Sequence, residues 1–300
     1  MLVFKSIKNG IQIVRQYWQV LAIFYILNFI FAAVLSVPMR SLLMNFFGNR
    51  LASKIIADGF NIAFFAEFIS KSGESVGVII TLVTYFSVLY FFLNTFLIGG
   101  VLANYQQRDS RYSTTTFFQG CIDYFWRFFR LFLLFLLIAL VLILLNLLLS
   151  GLLKLVFGEV RNESVWLKTR IGKWVFLLLL FLIANMIFDY AKILIVQHDI
   201  GTAKQALVRA FIFVRTNSGK ALALYGLIFL SGIVLLIVYW LLSDFINPGS
   251  MLPLALLLCL QQLYIIARIG VKLVFYSAQL DFYQASRHND FGDKTGMPNI

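Results

Sequence analysis

Three ionisable residues lie inside long apolar runs of this chain: Asp189, Arg268 and Lys272. An unpaired charge in hydrocarbon costs ~3 kcal/mol or more even on a lenient insertion scale, so each needs a partner or a watered path. Arg268 and Lys272 are four residues apart, on one face of a helix, and repel unless an acid sits between them. Asp189 is the acid available. It stands ten residues ahead of Asp199, while Lys272 and Arg268 stand nine and thirteen ahead of Asp281, a depth of ~15 to 20 Å at 1.5 Å per residue. The expectation is a cluster in which Asp189 pairs with Lys272 or Arg268. Such a pair fixes helix register or, in a transporter, marks an ion or substrate site.

A second set of polar residues recurs. Gln107-Arg108-Asp109, Gln197-His198-Asp199 and Gln279-Leu280-Asp281 each close an apolar run, at spacings of 90 and 82 residues. Gln and Asp at a helix end can take up free carbonyls and amides. That is the role read for Gln107, Asp109, Gln197, Asp199, Gln279 and Asp281, with a headgroup or partner contact as the alternative. His198 makes a metal or base site only where other ligands converge. The other two triplets put Arg108 and Leu280 at its position, so it reads as an interfacial residue. No G-x-S-x-G, H-E-x-x-H or Walker loop occurs. The two cysteines, Cys121 and Cys259, fit packing positions and support neither a disulfide framework nor a C-x-x-C metal site. No catalytic residue, metal or cofactor is assigned, and no enzymatic activity is expected.

The elements that hold these residues follow from composition. Of 300 residues 61% are hydrophobic and 13% charged, with a mean hydropathy of +0.89, against about 25% charged in a soluble domain. About 20 apolar residues cross ~30 Å of hydrocarbon. Six runs qualify, near Val20 to Val37, Val76 to Asn104, Leu131 to Val156, Trp174 to Val196, Ala221 to Leu242 and Leu252 to Gln279. The first has a basic start, as a signal peptide does, but the leading helix is too long and no A-x-A site follows, so it reads as an uncleaved span. Pro38 to Lys71 reads as short helices resting on the membrane, broken at Gly48 and Gly59. The pair Gly99-Gly100 in the second span permits a close helix contact or a bend.

Amphipathic helices precede the odd-numbered spans. Phe4, Ile7, Ile11, Val14 and Trp18 recur at helical spacing with Lys5, Lys8 and Arg15 on the other side. A second helix opens at a capping-box pattern, Thr116 to Gln119, and carries Arg127 and Arg130 into span 3. A third, Ala203 to Arg215, follows Thr202 and Gln205 and bears Lys204, Arg209 and Arg215, with Lys220 just beyond. The chain thus reads as three repeats of amphipathic helix, span, span (about 1–109, 110–199 and 200–285), then a tail over 286–300. Alignment of the repeats on Arg and on the Thr boxes disagrees by two residues. The fold class is an all-α integral membrane protein with six transmembrane helices.

Charge sets the orientation. Lys and Arg number 16 at the amino end, the 2–3 and 4–5 connections with the adjoining end of span 4, and the carboxyl end with the inner half of span 6, against 9 in the three opposite loops. The basic side is expected to be cytoplasmic, with both termini inside a bacterial inner membrane. The net charge of +12 flanks apolar spans, so its partners are expected to be membrane lipids of anionic type rather than nucleic acid.

The run GTAKQALVRAFIFVRTNSGKALALYGL from Gly201 resembles the interfacial helix of the six-span membrane domain that precedes the catalytic barrel in some bacterial glycerophosphoryl diester phosphodiesterases, and of related bacterial membrane proteins. The matching positions are Ala206-Leu207, Ala210-Phe211, Val214-Arg215 and Lys220, with Phe117 to Leu131 a weaker copy. The resemblance implies a membrane-embedded domain. The sequence departs from those phosphodiesterases in having no catalytic barrel up to Ile300, so no phosphodiesterase activity is expected. Two functions stay open: a non-catalytic module that binds or organises lipid or a partner subunit through its inner-leaflet helices, and a small permease or channel-like transporter. A continuous polar lining would favour the second, and the spans offer few groups beyond Asn28, Asn94, Asn185, Gln261 and Gln262.

Overall fold

The computed structural model describes residues 2–57, 70, 73–107, 112–157, 163–246 and 250–292. Among them the chain forms eight helices and no strand: α1 (Leu2–Gln16), α2 (Trp18–Ala57), α3 (Gly73–Gln106), α4 (Thr114–Phe157), α5 (Glu163–His198), α6 (Ala203–Thr216), α7 (Ser218–Asp244) and α8 (Met251–Gly292). Six contain stretches long and apolar enough to cross a membrane: Trp18–Ser41, Val76–Gln106, Thr114–Leu153, Leu167–His198, Ser218–Asp244 and Met251–Arg287. With no water in hydrocarbon, every backbone N–H and C=O must be bonded within its own segment, so an uninterrupted run of Leu, Phe, Ile and Val closes as a helix. Leu137, Leu144 and Leu147 on α4 and Leu230, Val234 and Ile237 on α7 stay exposed, because lipid tails are as apolar as the side chains they meet. The protein is an all-α, multi-pass membrane protein.

Several boundaries differ from those read in the sequence. The first span does not end at Pro38, because α2 runs through Pro38 and Gly48 to Ala57. Proline removes one helical hydrogen bond, and membrane helices tolerate that single loss where apolar residues continue on both sides. Gly59 lies outside the described residues. The helix α4 starts at Thr114, not at Thr116. Its cap is Ser113, whose Oγ accepts a bond from Thr116 N–H at 3.2 Å. Thr202 does occupy the N-cap position of α6, with an extended backbone but no side-chain cap bond. With Ser113 as the cap, its distance to Arg127 comes within one residue of that from Thr202 to Arg215. The last helix, α8, continues through residue 285 to Gly292, past the expected start of the tail.

Two compact units divide the chain. One comprises Met1–Phe4, Thr95–Tyr225 and Gln279–Ile300, the other Lys5–Asn94 and Gly226–Ala278. In the first, α5 packs along α4 and α6, and α4 also reaches α6. Tyr105, Phe117, Phe128, Tyr190 and Phe282 are its fully buried aromatics. The Gly99-Gly100 pair serves close contact, since a Cβ on Gly99 would come 2.6 Å from Gly120 O on α4.

In the second unit α1 lies on α8 where Gly10 leaves room. A Cβ there would meet Ser277 Oγ at 2.9 Å, and Ser277 Oγ donates to Gly10 O at 3.1 Å. Interhelical hydrogen bonds join α2, α3 and α8: Tyr25 Oη to Gln262 Oε1 (3.0 Å), Tyr90 Oη to Asn28 Oδ1 (3.0 Å) and Lys272 Nζ to Asn94 Oδ1 (2.7 Å). Each satisfies a polar side chain that lipid would leave bare.

Candidate functional site

Asp189 is buried, 6% exposed, as expected of a charge held away from lipid. Its partners are local to the first unit. Lys192 Nζ lies 2.9 Å from Asp189 Oδ1, one turn along α5. Tyr225 Oη on α7 donates to Asp189 Oδ2, and Asn185 Nδ2 donates to Tyr225 Oη at 2.8 Å. The sequence reading expected Lys272 or Arg268 as the partner of Asp189; within the first unit its ion-pair partner is Lys192. In the second unit Lys272 donates to Asn94 and lies 5.3 Å over the Phe24 ring, while Arg268 is exposed rather than interior.

The physical reason is local geometry. Lys192 stands three residues after Asp189, so the two share one face of α5 within a single turn. The donor Tyr225 stands five residues past Lys220, about 7.5 Å along α7, so the buried charge belongs to the basic end of the first unit.

That end also carries the triplet Gln197-His198-Asp199. Asp199 has a positive φ of 50°, a left-handed conformation that Asp tolerates, and Ile200 N–H bonds back to Ile195 O at 3.2 Å, which closes α5. Its carboxylate caps nothing. It pairs instead with Arg127 of α4, whose guanidinium also lies 5.6 Å over the Tyr124 ring. Gln197 Oε1 likewise accepts from Gln284 Nε2 at 2.9 Å and caps no helix. The third triplet is not a helix end, for Gln279 and Asp281 are buried inside α8. Both side-chain polar atoms of Gln279 lack a partner. Gln107 follows the end of α3 with its N–H on Asn104 O at 3.1 Å, and Asp109 lies outside the described residues. The capping role expected for Gln197 and Asp199 is corrected accordingly: the backbone closes α5, and these two side chains reach α8 and α4.

Between the end of α5, the length of α6 and the end of α8 lies a pocket of about 420 Å³. His198 comes from α5, Arg209 and Thr216 from α6, Tyr283 and Arg287 from α8; Leu194, Ile212 and Phe213 complete the wall. His198 Nε2 and Tyr283 Oη share a 2.8 Å hydrogen bond. Phe213 meets Tyr283 edge-on with centroids 4.9 Å apart, so two aromatic rings form part of the wall, and Phe213 is backed by Tyr190 at 5.1 Å. Among the described residues two arginines line the space and no carboxylate does. Asp199, the acid next to His198, is taken by Arg127.

Of the cations read as lipid-facing, Lys5, Lys8, Arg15, Arg130, Lys204, Arg209, Arg215 and Lys220 are exposed. Arg127 is not among them, since Asp199 holds it. The sequence reading missed Lys192, Tyr225, Tyr283 and Arg287. The first was legible as an i, i+3 neighbour of Asp189; the others come from distant helices. Among the described residues no three of His, Cys, Asp and Glu converge as a metal site. In comparison with known proteins, no family model, no curated protein and no solved structure matched the chain.

Proposed function

We propose that this is a non-catalytic membrane protein that holds anionic lipid at the basic ends of its helices. The observation that carries the reading is the three-sided surface of α1. Ser6, Gly10, Ile13 and Val14 are buried against protein, Phe4 and Ile11 are exposed apolar residues, and Lys5, Lys8 and Arg15 are exposed cations. At 100° per residue these fall in three separate sectors, facing protein, acyl chains and headgroups. The helix α6 adds Lys204, Arg209 and Arg215 beside exposed Val208, Phe211 and Ile212. Each such cation near an anionic leaflet contributes ~1 kcal/mol.

The short-long-long helix order of α1 to α3 recurs in α6 to α8, which supports the internal repeat and, with it, the resemblance to the phosphodiesterase membrane domain. The excess of Lys and Arg on one side supports a reading with both termini in the cytoplasm of a bacterial cell; a carboxyl-terminal reporter active only on that side checks it. Asn28, Asn94, Asn185 and Gln262 each meet a Tyr or Lys partner, so the polar groups a permease needs are engaged pairwise as contacts between helices.

The test is charge reversal on α1. Lys5→Glu, Lys8→Glu and Arg15→Glu together should cut retention of phosphatidylglycerol by the purified protein by on the order of tenfold or more, because three attractions become repulsions. Unchanged retention in a folded triple variant would reject the lipid role of α1.

A further inference from the structure

The pocket at the ends of α5, α6 and α8 combines features that an indifferent surface groove would lack. Among the described residues its charged groups are of one sign: Arg209 and Arg287 line it with His198, which is hydrogen-bonded to the Tyr283 hydroxyl, and no described acid contributes to the wall. Arginine suits phosphate because its planar fork donates two parallel hydrogen bonds to two oxygens. Apart from Thr216, the rest of the wall is apolar. Ile212 lines the pocket while remaining 55% exposed, and Val208, one turn earlier on α6, is 60% exposed. A ligand here has an anionic head between the guanidiniums and a greasy body that leaves over α6. At about 420 Å³ the space lies in the range of small-ligand sites and admits a phosphate with its glycerol but no acyl chain.

We propose that this pocket is a headgroup site for an anionic phospholipid, in which Arg209 and Arg287 bind the phosphate oxygens and Ile212 and Val208 guide the chains into the bilayer. The inference rests on the reading that the protein holds anionic lipid, and it places one lipid at one address. The phosphate ester chemistry is shared with soluble glycerol phosphate; the exposed apolar exit favours the lipid.

The test uses the full chain in detergent with two probes, dioctanoyl phosphatidic acid and glycerol 3-phosphate, followed by native mass spectrometry. The wild type is expected to bind the lipid at one high-affinity site, and Arg209→Gln with Arg287→Gln should weaken that site on the order of tenfold or more, through loss of charge-assisted bonds. A photoactivatable phosphatidic acid crosslinked to the wild type, which needs no variant to fold, should label residues 194–216 and 283–287. Equal affinity in the double variant, or crosslinks confined to α1, would overturn the pocket while leaving the lipid reading in place. Wild type that retains no anionic lipid at all would defeat that reading itself. Glycerol 3-phosphate bound as tightly as the lipid would overturn the assignment to a lipid.

Discussion

Asp189→Asn is expected to destabilise the protein in detergent by ~3 kcal/mol, the scale on which a buried ion pair responds to losing one partner. Both charges are largely enclosed, with side-chain exposures of 7% for Asp189 and 26% for Lys192. The asparagine keeps the shape and can still accept from Tyr225, so the loss comes chiefly from the attraction between the carboxylate and the Lys192 ammonium. Adding Lys192→Met removes the cation of that pair and should recover much of the stability, giving a large coupling in a double-mutant cycle. Thermal unfolding of the two single variants and the double variant measures it. Additive losses would show that Lys192 is not the partner that matters.

Gly100→Ala is the second large effect. Alanine is the better helix former by about 0.8 to 1 kcal/mol, so on propensity alone the change would stabilise α3. At this position a Cβ would lie 2.5 Å from Phe117 O and 2.6 Å from Cys121 Sγ on α4, well inside contact distance. The helices must separate, and overpacking of this kind costs about 1 to 3 kcal/mol or more. The expected outcome is a net fall in melting temperature. Gly232→Ala on α7, where nothing lies within 4 Å of the added carbon, should leave it unchanged or raise it. Equal behaviour of the two variants would mean that α3 and α4 do not meet at the glycines.

The spans and the glycine contact were legible because they depend on local pattern. A charge-free apolar run has one satisfactory conformation in lipid, and two adjacent glycines in such a run leave a place for another helix. Pro38 was over-read, because a proline weighs against a helix far more in water than in a long apolar segment. The partners of the charges were harder to see. Depth was counted from the triplet at Gln279 as though it closed a helix, when α8 continues to Gly292. That count drew attention from Lys192, three residues from Asp189. Tyrosines were also counted as apolar, yet Tyr25, Tyr90, Tyr225 and Tyr283 supply the hydroxyls that satisfy Gln262, Asn28, Asp189 and His198. The pocket draws on α5, α6 and α8, and no sequence spacing announces that His198, Arg209 and Arg287 share one space.

Lipid retention by the unmodified protein tests the proposed role most directly. Native mass spectrometry of the wild-type chain, released from its own membrane into mild detergent, should show protein carrying at least one anionic phospholipid that survives repeated washing, enriched over its share of the bulk membrane. A spectrum of lipid-free protein, or of protein bearing phospholipids in the same proportions as the membrane, would contradict it.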